Sequence, residues 1–301
     1  MGIPKRLIHV WGSIDSSPAT TPRAAPLPLG CRASLVNATL LHPDYDHLFL
    51  DDAAINRLLE YDCPEYRDVY FRFPLAVQRF DFVRYLAVYA FGGFYFDLDV
   101  YLARSLEPLR QHGCVFPFEE LTLSRYLRRQ HGWDWEMGNY AFGAEARHPF
   151  IRAVIDNCRR SLDDPSWASQ LMAGIPTPFR RQFQATNTTG PGLVTRTLAE
   201  QPELRSTVSI LFPEDVRDPS SWHRFGDYGV HLMAASWRSA DGFLRRRLAR
   251  LWEQTTRHRL GRESAQHGAA RPGDWNSVFG GEPAVRENPR TPMTAEVSYE
   301  H

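Results

Sequence analysis

Short apolar runs alternate along the chain with longer stretches in which apolar residues recur at helical spacing. The short runs predict strands at Lys5–Trp11, at Asp46–Leu50 and in the segment FGGFYFDLDV that ends at Val100. Before the third strand, Phe80, Val83, Leu86, Ala87 and Ala90 share one helical face, between a first-turn proline at Pro74 and a stop at Gly92. This alternation predicts an α/β fold with a mainly parallel central sheet covered by helices on both faces.

The remaining pattern is weaker and gives the elements that complete this fold. Ser13–Leu29 is rich in Ser, Thr, Pro and Ala and predicts a loop, whereas AINRLLEY (54–61) predicts a helix that the acids Asp51 and Asp52 introduce. Later segments predict a strand at Cys114–Glu120, a helix at His148–Leu162, a helix after the TTGPG loop, and two late strands in TVSILFP and YGVHLMAASW.

Length and composition favour one main domain. The chain has 301 residues, and we expect residues 1–260 to form a single domain and the polar residues 261–301 to form a disordered tail. The formal net charge is zero, which gives no reason to expect a nucleic-acid partner. The four cysteines form no CxxC pair, and no signal peptide or transmembrane segment is recognisable, so we expect a cytoplasmic protein.

The segment 241–260 predicts a basic amphipathic helix. Its apolar stripe and its arginines alternate in the run FLRRRLARLW, which begins at Phe243 and ends at Trp252. Two interpretations stay open: the helix makes a peripheral contact with an anionic membrane surface, or it packs on the domain and leaves a solvated basic face.

Asp97 and Asp99 follow the apolar run of the third strand. In an extended segment, residues two apart point to the same side, so the two carboxylates should converge. Two like charges about 4 Å apart repel by roughly 1 kcal/mol in water and roughly 4 kcal/mol at an intermediate dielectric. A divalent cation, Mn²⁺ or Mg²⁺, is the natural partner for such oxygens. The alternative is that the aspartates cap the next element or pair with an arginine.

The helix before this strand carries a second charged pair. Asp81 and Arg84 lie three residues apart and therefore share a face of the helix. The Gly92-Gly93 turn should bring the end of the helix back beside Asp97 and Asp99. The sequence thus predicts that an acid, a guanidinium and two metal-binding acids surround one site, although Asp81 and Arg84 taken alone would suit a surface ion pair.

Six segments together carry a resemblance to a known family. These are IPKRLIHVWG, HPDYDHLFLDD, RFDFVRYLAVYAFGGFYFDLDV, GNYAFGAEARHPF, TTGPG and HLMAASW, in this order between Ile3 and Trp237. They resemble the glycosyltransferases with a DxD sugar-binding region, which include fungal α-mannosyltransferases and capsular-polysaccharide transferases and are distantly similar to the clostridial glucosylating toxins. The combination of D-x-x-R-Y with GG-x-Y-x-D-x-D is the most specific part of the match.

The resemblance implies a GT-A-like fold and a metal-dependent enzyme that moves a hexose from a UDP- or GDP-sugar, with retention of configuration, to a hydroxyl on a glycan, glycolipid or protein. It implies a metal site of Asp97, Asp99 and His231, and a catalytic group of Asp81, Arg84 and Asn139. The implied donor-binding residues are His9, Trp11, Asp81, Arg84, Tyr95, Ser236 and Trp237. For His231 and Trp11, a place in the core is the alternative.

Two further functions remain as alternatives. A haloacid-dehalogenase-type phosphatase also places DxD after an apolar strand, but it leaves the D-x-x-R-Y segment and the double glycine unexplained. A non-catalytic protein that binds sugar nucleotides would retain the same residues.

For the retaining glycosyl transfer that the resemblance implies, we expect a front-face attack. The acceptor's proton can then pass to the leaving phosphate, and no separate carboxylate nucleophile is needed.

Overall fold

A seven-stranded sheet forms the centre of the protein. The computed structural model describes residues 2–12, 26–233 and 243–266. The sheet strands are β1 (Arg6–Val10), β2 (Asp46–Leu50), β3 (Gly93–Phe96), β5 (Cys114–Leu121), β6 (Trp135–Met137), β7 (Ala141–Ala144) and β8 (Ser209–Leu211), while β4 (Val100–Leu102) and β9 (Gly229–His231) form a separate two-stranded sheet. The strand order is β2-β1-β3-β7-β5-β6, with β8 also paired to β5.

Most strands of the large sheet point the same way. β2, β1 and β3 are parallel neighbours, and β7 runs antiparallel to both β3 and β5. Because β8 is parallel to β5, the strands β1, β2, β3, β5 and β8 share one direction, and β6 and β7 oppose it. The predicted α/β class with a mainly parallel sheet is confirmed. The carboxyl ends of β3 and β5 therefore lie at the same edge of the sheet.

Ten α-helices are described around this sheet. They are α1 (Leu29–Leu41), α2 (Asp52–Arg57), α3 (Arg67–Arg72), α4 (Ala76–Phe91), α5 (Arg125–His131), α6 (Pro149–Asp163), α7 (Pro165–Ser169), α8 (Gln184–Thr188), α9 (Pro191–Glu200) and α10 (Phe243–Gln266). A π-helical turn, Leu58–Asp62, continues α2. In the part of the chain that the structure describes, no helix is both long and apolar enough to cross a membrane.

The core has two layers because alternate strand residues face opposite sides of the sheet. Ile8 and Tyr95 belong to the layer under α4 and α6, whereas Leu7 and Phe94 belong to the layer that includes Ala38 of α1. Burial of each large apolar side chain stabilises the fold by about 1.5–3 kcal/mol. Both faces of the sheet are therefore covered, as predicted.

The turn between α4 and β3 depends on two glycines. Gly92 ends the helix with φ of +64°, and Gly93 follows with φ of +122°. A Cβ on Gly93 would lie 2.7 Å from the Arg6 carbonyl oxygen, and one on Gly92 would lie 2.7 Å from the Ala146 nitrogen. Only glycine fits this conformation and these close approaches, so the turn that returns the chain to the site is fixed locally.

Several element boundaries differ from the prediction. Helix α4 begins at Ala76 rather than at Pro74, and α10 continues to Gln266, past the predicted boundary at residue 260. Asp51 caps α2, as the terminal acids indicated, because its carboxylate accepts a hydrogen bond of 2.8 Å from the Ala54 amide. Helix α1 was not predicted, because only Ser34 and Ala38 on it are buried and its apolar pattern is weak. Residues 267–301 lie outside the described residues.

Candidate active site

The candidate site lies where four segments meet at the carboxyl edge of β3. The chain after β3 carries Asp97 and Asp99, and the chain before β7 carries Asn139. Because β7 is antiparallel to β3, its first residues reach the edge at which β3 ends. The Asp97 amide donates a hydrogen bond of 2.7 Å to the Tyr140 carbonyl, which joins the two segments. Helix α4 and the residues before α9 are the other two of these segments, and β9 adds His231 beside them.

The two DxD aspartates lie in a turn, not in a strand. β3 ends at Phe96, and the Val100 amide donates a hydrogen bond of 3.0 Å to the Asp97 carbonyl. The predicted mechanism of convergence, alternation along an extended strand, is therefore wrong. The turn brings the carboxylates to one side instead, and it keeps them partly open, with side-chain exposures of 26% for Asp97 and 19% for Asp99.

Arg84 lies at the centre of a group of buried charged and polar side chains. Its guanidinium lies 3.1 Å from Oδ1 of Asp97 and 3.2 Å from Oδ1 of Asp81, and it donates a hydrogen bond of 2.9 Å to the Asn139 carbonyl. It also lies over the Tyr95 ring, 4.7 Å from the centroid, and the Tyr95 hydroxyl bonds to Asp97. Burial disfavours the charge, but the attraction of Asp97, Tyr95 and Asp81 raises the pKa of Arg84.

Both carboxylate oxygens of Asp81 have protein partners. Oδ1 accepts a hydrogen bond of 3.1 Å from the Asn139 amide, and Oδ2 accepts one of 2.7 Å from the Thr189 hydroxyl. Burial raises the pKa of Asp81, and the Arg84 charge opposes that rise. The Tyr85 hydroxyl accepts a bond of 2.9 Å from Asn139 and donates one of 2.7 Å to the Thr189 carbonyl. The carboxylate and the amide are therefore held in fixed orientations.

Asp97, Asp99 and His231 form a group that could hold a metal ion. Each offers one ligand atom, and these atoms all lie within 4.8 Å of one another. Ligands about 2.1 Å from a shared ion are at most ~4.2 Å apart, so the three side chains would draw in by a few tenths of an ångström. Nε2 of His231 lies 3.2 Å from Oδ1 of Asp99, and its buried Nδ1 makes no hydrogen bond to any described residue.

The ligand atoms of Asp97, Asp99 and His231 fit Mn²⁺ or Mg²⁺. Carboxylate oxygens and an imidazole nitrogen suit such an ion, and three protein ligands leave positions for phosphate oxygens. Asp81 and Asp97 contact the Arg84 guanidinium, whereas Asp99 contacts His231, and a divalent cation would add positive charge between Asp97 and Asp99. Burial opposes the charge of His231, but the bond to Asp99 and the charges of Asp97 and Asp99 raise its pKa. A metal ion would compete with a proton for this imidazole, because only the neutral ring binds metal.

A second group of side chains supports His231. The Tyr140 ring stacks on the imidazole at 4.4 Å, and the His231 amide donates a hydrogen bond of 2.9 Å to the His223 carbonyl. The His223 ring lies 3.3 Å from the Glu119 carboxylate, and His223 has a φ of +57°. The sequence analysis missed these residues, together with Thr189 and Tyr85. Tyr85 and Thr189 lie inside the D-x-x-R-Y and TTGPG segments, which was the available signal.

The other predicted donor residues take different positions. His9 is buried in β1, and its Nδ1 lies 3.0 Å from the Phe96 carbonyl, where burial lowers the pKa of the imidazole to about 4. Trp11 is half-buried just after β1, and its amide bonds to the Leu50 carbonyl at 2.9 Å. For both residues, donor binding stays a prediction. Ser236 and Trp237 lie outside the described residues.

A separate cluster of buried charges joins α10 to the sheet, and we call it the Arg257 cluster. The Arg257 guanidinium contacts the carboxylates of Glu120 and Glu253 and donates a hydrogen bond of 3.1 Å to the Leu121 carbonyl. Nearby, Glu136 accepts a hydrogen bond of 2.5 Å from the Thr122 hydroxyl, and burial raises the pKa of Glu136 to about 7. Sequence patterns gave no sign of this cluster.

The family comparison agrees with this geometry. Residues 31–116 match the family described as "Glycosyltransferase sugar-binding region containing DXD motif". This segment includes α4 and the DxD turn, so Asp81, Arg84, Asp97 and Asp99 all lie within it. The resemblance predicted from the sequence is confirmed: residues 31–116 are similar to the sugar-binding region of the DXD-motif glycosyltransferases.

Among known proteins, the chain is similar to mannosyltransferases of Schizosaccharomyces pombe. It is 32% identical over 120 residues to "Inositol phosphoceramide mannosyltransferase 3", a match that covers 40% of this chain and 30% of the relative. It is 23% identical over 243 residues to "Inositol phosphoceramide mannosyltransferase 2", covering 77% and 61%. The matches thus span less than two thirds of either relative's length. Among solved structures, "PaToxG Glycosyltransferase" matches with a TM-score of 0.45 and 13% identity over 68% of this chain and 71% of that one.

Proposed function

We propose that the protein is a metal-dependent glycosyltransferase that moves a hexose from a nucleotide-diphosphate sugar to an acceptor hydroxyl. The observation that carries the proposal is that Arg84 contacts Asp81 and Asp97 beside the group Asp97, Asp99 and His231. These residues lie at the carboxyl edge of an α/β sheet, where ligands of such folds bind. The named relatives are inositol phosphoceramide mannosyltransferases. We therefore propose a mannosyl nucleotide as the preferred donor. As acceptor, we propose a glycolipid in preference to a glycan or a protein.

Each residue of the site has a proposed role. A divalent cation held by Asp97, Asp99 and His231 would neutralise the charge of the leaving diphosphate. Arg84 orients Asp97 from the other side and presents a fixed positive charge to the donor. Asp81 and Asn139 are joined at 3.1 Å, and the carboxylate of the first and the amide oxygen of the second accept hydrogen bonds from sugar hydroxyls that enter beside them. Tyr95 holds both Arg84 and Asp97 in place.

The proposed stereochemistry is retention by a front-face attack. Asp81 is the most buried carboxylate of the site, but Asn139, Thr189 and Arg84 already contact its two oxygens. A carboxylate held in this way positions a substrate better than it attacks one. We therefore propose that the leaving phosphate oxygen takes the acceptor's proton.

The phosphatase alternative is disfavoured by the same contacts. It would require Asp97 to attack a phosphate ester as a nucleophile. Arg84 and the Tyr95 hydroxyl both contact Oδ1 of Asp97, so these interactions already occupy the lone pairs with which that oxygen would attack. The geometry supports a carboxylate that binds a cation more than one that forms a covalent intermediate.

The test is a donor-hydrolysis screen over UDP- and GDP-sugars, with Mn²⁺ and with a chelator. We expect metal-dependent release of nucleotide diphosphate, which Asp99→Asn abolishes and the matched surface variant Asp156→Asn preserves, because Asp156 only pairs with Arg152 on α6. Equal rates in all conditions would reject the metal site. Release of phosphate from simple phosphate esters would instead support the phosphatase. The anomeric configuration of the product, read by NMR, tests retention.

A further inference from the structure

Helix α10 is fixed to the domain along one side. Ala249, Arg257 and Leu260 are buried, and the Trp252 ring lies 5.7 Å from that of Phe179. The packing interpretation of this helix is therefore correct for its inner side. The opposite side of the same helix carries exposed residues, and the second interpretation is argued from that side.

The outer side of α10 combines exposed leucines with cations. Leu248 and Leu251 are 50% and 58% exposed, although a surface helix normally turns such residues inward. Their exposed neighbours are Arg247, Arg250, His258, Arg259 and Arg262. Glu253, the one carboxylate between Arg247 and Arg262, turns inward to Arg257. An apolar strip bordered by positive charge, without an acid, matches an anionic lipid surface.

A cleft lies beside this outer side. It has a volume of about 280 Å³ and is lined by Arg217, Pro219, Trp222, Arg257, His258, Gly261 and Arg262. Arg217, His258 and Arg262 are its exposed cationic residues; the Arg217 guanidinium lies 3.0 Å from Asp215, and that of Arg262 lies 2.9 Å from the His258 ring. Guanidinium groups form paired hydrogen bonds to phosphate oxygens. The lining therefore suits a phosphate ester, which a phospholipid headgroup contains.

Helix α10 stands at the active-site edge of the sheet. Arg257 bonds to the carbonyl of Leu121, the last residue of β5, and β5 ends at the same edge as β3. Glu120, which Arg257 contacts, lies beside His223. The His223 ring lies beside that of His231, one of the three candidate metal ligands. A surface that binds the outer side of α10 would lie on the side of the molecule to which the DxD turn belongs.

We propose that the outer side of α10 docks the protein on an anionic membrane, and that the cleft between α10 and Trp222 binds the phosphate of a lipid headgroup. Docking does not depend on the proposed glycosyl transfer. If that transfer is correct, docking places a lipid-linked acceptor beside the donor site.

The experiment measures binding of the full chain to vesicles, without donor, by co-flotation. We expect binding to vesicles of phosphatidylcholine mixed with phosphatidylglycerol and none to phosphatidylcholine alone. One arginine near such a surface contributes about 1 kcal/mol, or about fivefold, so Arg217→Gln with Arg262→Gln should weaken binding about 25-fold. The leucine pair Leu248→Ser with Leu251→Ser should also weaken it. The control pair, Arg152→Gln with Arg159→Gln on α6, removes equal charge and should leave binding unchanged.

Several outcomes would overturn the proposal. These are equal binding to neutral and anionic vesicles, equal loss in the control pair, or leucine-dependent dimerisation in sedimentation with no vesicle binding. Glycerol phosphate shows whether the cleft binds a lipid headgroup or a free phosphate ester. Sodium chloride at the same ionic strength is its control. Competition with vesicles supports a headgroup site, whereas binding of glycerol phosphate without any vesicle binding rejects the membrane. All substituted side chains are exposed, and thermal unfolding checks that each variant is folded.

Discussion

Two buried arginines, Arg84 and Arg257, are each surrounded by carboxylates, yet their surroundings differ. Arg257 directs its Nε to the Leu121 carbonyl and its two terminal nitrogens to Glu253 and Glu120, so the whole guanidinium fork is used to join α10 to β5. Arg84 contacts Asp81, Asp97 and Asn139, but its buried Nε makes no hydrogen bond to a described residue. A buried ion cluster alone therefore does not mark a site.

The two clusters differ in whether their polar atoms already have hydrogen-bond partners. On the Arg84 side, the carboxylates of the DxD turn stay partly open, and the buried Nε of Arg84 makes no hydrogen bond to a described residue. On the Arg257 side, the helix covers the cluster. We therefore expect substitutions at Arg257 to change stability and substitutions at Arg84 to change activity.

The largest effect is expected from Arg257→Met. Removal of the guanidinium leaves Glu120 and Glu253 buried without their cation, which costs about 3–5 kcal/mol of unfolding free energy. Urea unfolding measures this loss, and donor hydrolysis per folded molecule should stay unchanged. Arg259→Met, at an exposed position of the same helix, is the control. A loss below about 1 kcal/mol would show that α10 is held by other contacts.

A pH effect follows from Glu136. Burial raises its pKa to about 7, so the folded state binds this proton more tightly than the unfolded state does. The contribution to stability is complete below the unfolded pKa of about 4.5 and is lost as the pH rises through about 7. A shift of this size corresponds to up to about 3 kcal/mol. Unfolding free energies at pH 5 and pH 8 should differ less in Glu136→Gln than in the native chain, and an equal pH dependence would contradict this account.

A smaller effect, on activity, is expected from Arg84→Lys. Lysine keeps the charge but cannot contact Asp81, Asp97 and the Asn139 carbonyl at once. We expect donor hydrolysis to fall about 100-fold, which is about 2.7 kcal/mol of barrier. The unfolding free energy should change less than it does in Arg257→Met. If stability falls further than in that variant while activity persists, the distinction between the two arginines fails.

Tyr85→Phe should have the smallest effect. Its hydroxyl links Asn139 to the Thr189 carbonyl, and loss of a buried hydrogen-bonded hydroxyl costs about 1 kcal/mol. Because the Asn139 amide is then less well oriented, KM for the donor should rise while the Arg257 cluster is unaffected. A matched Tyr89→Phe on the same helix should leave KM unchanged. Equal KM values in all three proteins would show that Tyr85 has no part in orienting Asn139.

The local parts of the site could be predicted from sequence. Spacing placed Asp81 and Arg84 on one face of α4, and the double glycine predicted the return of the chain to β3. The resemblance added Asn139 and His231. Thr189 lies in the TTGPG segment, but its contact with Asp81 could not be predicted, and His223 had no signal at all, since both depend on how distant segments meet at the sheet edge. The antiparallel direction of β7 is one such fact, and the sequence pattern does not encode it.

The pairing of β3 with β7 has a consequence for how the site tolerates change. Phe96 pairs with Ala141 at the active-site end of this ladder, so Asp97 and Tyr140 face each other one residue beyond it. Side chains alternate, so a register slip of two residues would keep every core residue on its own face. It would nevertheless move the DxD turn about 7 Å from Asn139. Insertions in the loop before β7 would preserve the site only if they left this register intact.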